Sequence, residues 1–263
     1  MKLDRVYRRQ YAIPDIHGRS DLLELALQKM DDDGYDSKQD LLVFCGDLID
    51  RGPDSKGVID IIKSLCEADP ETVFCLRGNH EDFAVDTYVK RRPHAKDSWY
   101  YNGGLQTEQS YPNGYMSEEH LKFLGGCPYS IESQGFFYSH APVPREKART
   151  GRGPKMDGSD VGGKGEEYTV WELTWYYFGP EGEKPGALMD MHEGPLSNNG
   201  LGPDHLVGIC GHIHRGSSAI TIRSFPKYLM LDTGCGCYLN SPLAVHECLS
   251  HRTLYANPAD LTE

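Results

Sequence analysis

The chain has 263 residues, enough for one large domain or two small ones, since about 150 residues per domain is typical. It carries 27 Lys and Arg against 39 Asp and Glu, a formal net charge of −12. This acidic balance argues against general binding to nucleic acid or to an anionic membrane. No apolar run approaches the roughly 20 residues of a membrane-spanning helix, and no targeting or lipid-modification signal is readable. We therefore expect a cytoplasmic protein without a membrane partner.

The first third of the chain alternates short apolar runs with segments of helical periodicity. Residues 11–13, 41–44 and 72–76 predict strands, and apolar residues at helical spacing follow each of the first two. Ser20 and Ser55 stand where these helices should begin, and we expect them to be the N-caps. This βαβαβ pattern predicts a parallel sheet whose carboxyl strand ends converge on the ligand.

The second half of the chain contains shorter apolar runs separated by turn residues, which predict a second sheet. The predicted strands are 129–131, 136–139, 206–210, 218–222, 228–231 and 243–247. Two irregular stretches, at about 141–170 and 179–203, interrupt this half as insertions. Because no linker clearly divides the chain, we expect residues 1–263 to form a single domain.

The eight cysteines indicate a reducing compartment. Cys45, Cys75 and Cys210 end apolar runs of strand character, where a free cysteine acts as a small apolar side chain. We interpret all eight as reduced thiols, which is consistent with the cytoplasm.

Polar side chains with metal-binding chemistry follow five of the predicted strands. They are Asp15, His17, Asp47, Asp50, Asn79, His80, His140, His212 and His214. Buried carboxylates at this density would repel one another unless cations neutralised them. Mixed Asp, Asn and His donors suit ions such as Mn, Fe or Zn, and two ions sharing one carboxylate would use the whole set. Such a pair of ions is typical of phosphoester hydrolysis.

Four motifs carry a family resemblance. Gly-Asp-Leu-Ile-Asp-Arg-Gly at 46–52 and Arg-Gly-Asn-His-Glu at 77–81 resemble the calcineurin-like metallophosphoesterases, especially the phosphoprotein phosphatase branch with its small bacterial and phage members. Asn-Gly-Gly at 102–104 and Leu-Asp-Thr-Gly at 231–234 are similar to the same branch. The resemblance implies an α/β fold, a four-layer α/β/β/α sandwich of two mixed sheets.

The resemblance also implies which residues hold two divalent ions, with Mn expected and Fe or Zn as alternatives. Asp15, His17 and Asp47 would hold the first ion. Asn79, His140 and His212 would complete the second, which shares Asp47. The chain has Gly-His-Ile-His at 211–214, and in the wider superfamily the second His of that motif completes the shell of the first ion. His214 is therefore a further candidate ligand.

The remaining roles implied by the resemblance concern substrate and proton transfer. A metal-bridging hydroxide would attack phosphorus. His80 would protonate the leaving alkoxide while Asp50 orients it, and Arg51 would bind phosphate oxygens. The branch carries a second phosphate-binding Arg, which is missing near Trp171. Its candidate substitutes are Arg145, Arg149, Arg152 and Arg215.

Three functions remain open from the sequence. The first is a serine/threonine protein phosphatase acting on a phosphorylated protein or a small phosphoester. The second is a dinucleoside polyphosphate hydrolase, such as a diadenosine tetraphosphate hydrolase, which would need Trp99, Tyr100 or Trp175 to stack on adenine. The third is a catalytically silent binding module. Two further expectations are structural: Trp99 is core or lines the substrate groove, and Arg77 forms an ion pair with Glu81.

Overall fold

The computed structural model describes residues 1–141, 153–154, 160–161, 206–212, 214, 223–225 and 228–262. The strands are β1 (Lys2–Leu3), β2 (Gln10–Ile13), β3 (Leu41–Phe44), β4 (Val73–Cys75), β5 (Ser130–Ser133), β6 (Phe136–Ser139), β7 (Gly153–Pro154), β8 (Asp160–Val161), β9 (Val207–Cys210), β10 (Arg223–Phe225), β11 (Tyr228–Met230), β12 (Leu243–Glu247) and β13 (Arg252–Ala256). The α-helices are α1 (Ser20–Asp32), α2 (Ser55–Ala68), α3 (Asn79–Tyr88), α4 (Ala95–Tyr101), α5 (Gly104–Gln109) and α6 (Glu118–Gly126), and a 3-10 helix covers Pro258–Thr262.

A five-stranded sheet contains the predicted βαβαβ unit. Its order is β13-β12-β2-β3-β4, and β2, β3 and β4 run parallel. Helix α1 follows β2, and α2 follows β3, so the three carboxyl strand ends lie at one edge of the sheet. The prediction for the first third of the chain is confirmed.

The N-cap predictions for the first two helices are wrong. Ser20 and Ser55 are the first helical residues, and Arg19 and Asp54 precede them. The Asp54 carboxylate accepts the Gly57 N–H at 2.9 Å and the Ser20 hydroxyl at 2.7 Å. One carboxylate therefore caps α2 and links α1 to it. The sequence did not indicate this role, because the serines next to these positions are equally good N-cap residues.

Strand β12 lies in the five-stranded sheet, which corrects its assignment to the second sheet. It pairs antiparallel with β2, His246 opposite Ala12 and Glu247 opposite Tyr11. The chain thus returns to the first sheet after leaving it, and β13 extends that sheet as an antiparallel neighbour of β12. The order of the strands along the chain does not reveal that β12 pairs with β2.

The second sheet has six strands in the order β1-β5-β6-β9-β11-β10. It is also mixed, since β5 and β6 are antiparallel whereas β6 and β9 are parallel. Most of the remaining second-half strands are confirmed within it. The predicted strand at 218–222 lies outside the described residues, as do the insertions 141–170 and 179–203 apart from Ala141, β7 and β8.

Two buried clusters show how the layers pack. One cluster joins Val43 of the first sheet to Ile131 and Ile209 of the second, so the sheets face each other. The other joins Phe44 to Leu22 of α1 and Ile59 of α2 on the opposite face. The predicted α/β class with two mixed sheets and helices is confirmed.

All eight cysteines are free thiols, as predicted, and most of them are buried in these cores. Among the described residues, no helix combines the length and apolar character needed to cross a membrane. The single-domain organisation of 1–263 stays a prediction.

Candidate metal centre

Two groups of potential ligands meet at the carboxyl ends of the strands. Their members are His17, Asp47 and His80 in the first group, and Asp47, His140 and His212 in the second. Within each group the candidate donor atoms lie within 4.8 Å of one another. These residues follow β2, β3, β4, β6 and β9, the five strands whose ends the sequence predicted to converge.

Asp47 is common to both groups, and each of its carboxylate oxygens faces one of them. Its Oδ2 lies 3.7 Å from His17 Nε2 and 3.8 Å from His80 Nε2. Its Oδ1 lies 3.3 Å from His140 Nε2. A carboxylate disposed in this way can bridge two cations, one on each oxygen.

Two imidazoles are oriented as metal ligands usually are. Nδ1 of His17 lies 2.8 Å from the Ile49 carbonyl, and Nδ1 of His140 lies 2.9 Å from the Cys45 carbonyl. A carbonyl only accepts, so each Nδ1 carries a proton and each Nε2 is turned toward Asp47. A ligating histidine typically donates its other ring N–H to a carbonyl in this manner. This geometry and the donor chemistry fit divalent ions.

Asn79 and His212, the latter a member of the second group, both lie next to His140. His140 Nε2 lies 2.9 Å from Asn79 Oδ1 and 3.0 Å from His212 Nδ1. The backbone N–H of His212 donates to Asp15 Oδ1 at 2.8 Å, which joins the end of β9 to the end of β2. Gly211 allows this approach, because a Cβ there would lie 2.0 Å from Asp15 Oδ1. Asp15 is thus beside both groups, although neither includes it.

The pKa values show strong competition for protons. Burial disfavours a charged His140, but the Asp47 and Asp15 carboxylates outweigh it and raise the pKa of His140 to about 10. Burial and the nearby His140 lower the pKa of His212 to about 3. Burial and the Asp232 carboxylate raise the pKa of Asp15. Asp15 therefore has too few fixed positive charges around it, whereas the imidazoles of His140, His80 and His17 outweigh burial and lower the pKa of Asp47.

The backbone of the site is strained. His17, Asp47, Asp50, Arg51 and His212 have φ between +46° and +75°, in the left-handed region that non-glycine residues rarely adopt. Such strain is held in place by surrounding contacts and is concentrated at functional sites. Here the backbone N–H groups of Ile16 and His17 both donate to the Asp47 carbonyl at 3.0 Å.

Glu81 is the main residue of the site that sequence reasoning misassigned. Its carboxylate accepts the backbone N–H groups of Asp47, Leu48 and Gly78, at 2.8, 2.9 and 2.8 Å. The expected Glu81 ion pair with Arg77 is therefore wrong. Arg77 instead lies 3.3 Å from Asp82, and its Nη1 donates to the Tyr129 hydroxyl at 3.0 Å. Glu81 fixes the loops after β3 and β4 against each other, since unpaired buried N–H groups are costly.

His80 and Asp50 form the predicted pair. His80 Nδ1 lies 2.6 Å from Asp50 Oδ2, and both side chains are buried. Trp99 is also fully buried, and its Nε1–H donates to both Asp50 oxygens at 2.9 Å. Trp99 therefore belongs to the core, which was one of its two predicted locations. It also donates a hydrogen bond to a residue of the site.

Arg51 lies in front of the imidazoles. Its Nη1 is 2.6 Å from His17 Nε2, and its Nη2 is 3.1 Å from His80 Nε2. Gly103 lies against it, since a Cβ at that glycine would be 2.9 Å from Arg51 Cγ. A guanidinium with two donors at the mouth of such a site can bind two oxygens of one phosphate.

His214 lies at the margin of the site. Its ring packs edge-on against Tyr238 at 5.1 Å, and its Nδ1 is buried without a hydrogen-bond partner among the described residues. Asp232 is buried beside Asp15 and was not a predicted site residue, although its motif at 231–234 was singled out. Outside the described residues lie Arg145, Arg149, Arg152, Trp171, Trp175 and Arg215.

Known proteins resemble this chain in sequence and in fold. The family model described as Calcineurin-like phosphoesterase matches residues 9–216. Serine/threonine-protein phosphatase 1 of Salmonella typhimurium is 36% identical over 98 residues, 37% of this chain and 40% of that protein. The asymmetrical bis(5'-nucleosyl)-tetraphosphatase PrpE of Halalkalibacterium halodurans is 27% identical over 170 residues, 61% of this chain and 63% of that protein.

Both matches thus span less than two thirds of the relative's length. Among solved structures, that of a candidate diadenosine tetraphosphatase matches with a TM-score of 0.57 and 19% identity. It covers 98% of this chain and 96% of the other. A likeness at this identity concerns the fold.

Proposed function

Since this chain belongs to the calcineurin-like phosphoesterase family and is therefore a metallophosphoesterase, we propose that it is a serine/threonine protein phosphatase with two divalent ions. The observation that carries the proposal is Asp47, one oxygen of which faces each of two ligand groups. Its substrate would be a phosphorylated protein or a small phosphomonoester, and its location the cytoplasm.

The residues that would hold the ions are those the sequence predicted. Asp15, His17 and Asp47 would hold the first, with His214 as a further candidate. Asp47, Asn79, His140 and His212 would hold the second, and Mn is the proposed metal, with Fe or Zn as alternatives. When bound, such ions acidify water and stabilise negative charge on the phosphoryl oxygens.

His80 would supply the proton to the leaving group. Its Nδ1–H is held by Asp50, so its Nε2 is the atom that faces the substrate. An alkoxide leaving from phosphoserine is strongly basic and needs that proton, whereas the phosphate that leaves from an anhydride needs it less. A buried, oriented imidazole therefore favours a phosphomonoester over a dinucleoside polyphosphate.

Arg51 would bind the phosphate. In the structure its two Nη atoms lie against His17 and His80, and a phosphate accepting these donors would draw the guanidinium away from both rings. Once the guanidinium no longer donates to His80 Nε2, that nitrogen would take a proton from solvent and pass it to the leaving oxygen. Substrate binding and preparation of the proton donor would thus be coupled in one side chain.

A dinucleoside polyphosphate hydrolase is the second candidate, because relatives of this chain carry that name. Of its predicted adenine-stacking residues, Trp99 is buried with its Nε1–H on Asp50. The Tyr100 hydroxyl donates to Glu108. Trp175 lies outside the described residues.

The deciding experiment compares kcat/KM of the Mn-loaded protein for a phosphoserine peptide and for diadenosine tetraphosphate. We expect the phosphopeptide to be preferred by at least about a hundredfold, which corresponds to about 2.7 kcal/mol. A preference for diadenosine tetraphosphate would overturn the proposal in favour of the second candidate. Bound metal without turnover of either substrate would favour a silent binding module.

A further inference from the structure

The Asp50 carboxylate lies in a fully buried network that extends beyond the proton donor. Asp50, Ser55, Trp99 and Thr107 each have 0% exposed surface. Besides His80 Nδ1, the carboxylate accepts the Trp99 Nε1–H at 2.9 Å and the Thr107 hydroxyl at 2.6 Å. The Trp99 and Thr107 donors thus both point at the carboxylate that orients His80.

Thr107 is itself fixed by the rest of the network. Its Oγ1 accepts the backbone N–H of Asp50 at 2.9 Å and lies 2.9 Å from Ser55 Oγ. Ser55 Oγ also accepts the Asp50 N–H, at 3.0 Å. Because the Thr107 hydroxyl has one proton, these contacts direct that proton to Asp50 Oδ1. A fully satisfied buried network of this kind has a single low-energy arrangement.

The indole of Trp99 is also held firmly. It packs edge-on against Tyr88, with ring centroids 5.7 Å apart. On another side lies Gly104, where a Cβ would be 2.4 Å from the indole Cδ2, so only glycine allows the ring to sit there. The Asn-Gly-Gly motif at 102–104 therefore serves both sides of the site, with Gly103 against Arg51 and Gly104 against Trp99.

We propose that Trp99 and Thr107 are positioning residues for proton donation, and that they hold the Asp50 carboxylate in the orientation in which Oδ2 accepts the His80 Nδ1 proton. The inference rests on the proposed role of His80 as proton donor. Two donors on the carboxylate prevent its rotation, and His80 is then held with Nε2 toward the substrate. Neither Trp99 nor Thr107 touches substrate in this account.

The test is Trp99→Phe, which removes the N–H but keeps an aromatic ring. With a phosphoserine peptide, kcat should fall about tenfold, since misplacing a general acid loses part of its contribution. With 4-nitrophenyl phosphate, whose leaving group needs no proton, kcat should change less than about twofold. Tyr88→Phe is the matched control: it alters a neighbour of the indole without touching Asp50, and both substrates should respond equally.

A double variant separates positioning from packing. His80→Asn alone should lower kcat far more for the phosphopeptide than for the aryl phosphate. If Trp99 acts through His80, then adding Trp99→Phe to His80→Asn should cost nothing further. Thr107→Val should behave like Trp99→Phe, and Thr107→Ser, which keeps the hydroxyl, should recover most of the loss.

The outcomes are distinguishable. A selective loss in His80→Asn together with equal loss for both substrates in Trp99→Phe overturns the positioning role alone. So does a Trp99→Phe effect that is as large in the His80→Asn background as in the wild type. Equal loss for both substrates in His80→Asn overturns the proton-donor role itself, and the positioning role with it.

Discussion

Buried carboxylates at the two ends of the parallel strands have different charged neighbours. At the amino ends, Asp40 precedes β3 and receives two hydrogen bonds from Arg8, at 2.8 and 2.6 Å. At the carboxyl ends, Asp47 faces three imidazoles, while the nearby guanidinium of Arg51 contacts the rings of His17 and His80. One carboxylate is neutralised by its own partner, and the other lies where cations can neutralise it.

The pKa directions show a related contrast between Asp40 and Asp15, whereas the imidazoles around Asp47 lower the pKa of Asp47. Burial opposes ionisation of Asp40, but the hydrogen bonds from Arg8 and the Asp36 N–H, together with the Arg8 and Arg9 charges, lower the pKa of Asp40 below its usual value. Burial raises the pKa of Asp15, and the nearby Asp232 raises it further. A buried carboxylate at the amino ends is thus paired with an arginine and supports stability, whereas those at the carboxyl ends lie among imidazoles, where cations and substrate can bind.

Asp47→Asn should have the largest effect on activity of the substitutions at the two strand ends. Because the shared carboxylate is lost, phosphopeptide turnover should fall at least about a thousandfold, which is the scale of metal-ion catalysis. The melting temperature of the metal-free protein should fall, since the variant loses the attraction between the Asp47 carboxylate and the buried His140 imidazole. Steady-state kinetics and thermal unfolding in EDTA measure the two effects. A large drop in Tm with activity retained would show that Asp47 is structural.

Arg51→Lys should have an intermediate effect, confined to the carboxyl ends. Lysine keeps the charge but not the pair of donors that matches two phosphate oxygens. We expect KM for the phosphopeptide to rise about tenfold, with little change in the melting temperature. Inhibition by inorganic phosphate should weaken in parallel. An unchanged KM and unchanged phosphate inhibition would remove Arg51 from substrate binding.

Asp40→Asn should have the smallest effect and touch only stability. The Asp40 side chain is 0% exposed but Arg8 is 45% exposed, so solvent screens the pair and we expect a loss of about 1 kcal/mol in unfolding free energy. Activity should be unchanged. The folded-state pKa of Asp40 is lowered, so the wild-type advantage should be complete at neutral pH, shrink as the pH falls below about 4 and vanish below the lowered folded-state pKa. Urea unfolding at pH 7 and pH 3 tests this, and an advantage as large at pH 3 as at pH 7 would contradict it.

Much of the site could be predicted because its chemistry is local to strand ends. Asp15, Asp47 and His140 each follow a short apolar run, and a parallel sheet brings such positions together. The same reasoning placed β12 in the wrong sheet, because pairing with β2 depends on a return of the chain that no local pattern records.

The supporting residues could not be predicted for a related physical reason. Glu81 accepts backbone N–H groups from loops 33 and 34 residues away, and Trp99 reaches Asp50 across 49 residues. Neither contact has a sequence spacing of its own. Glu81 next to Arg77 looked like an ion pair, and a tryptophan in an aromatic run looked like ordinary core. Long-range hydrogen bonds such as these become visible only in the folded chain.

Metal stoichiometry tests the central claim, that Asp47 lies between two cation sites, most directly. Dialysed wild-type protein and Asp47→Asn can be titrated with Mn and their bound metal measured per chain after gel filtration. We expect about two ions per wild-type chain and at most one in the variant. Two ions per chain in Asp47→Asn, or a fully active wild type with a single ion, would contradict it.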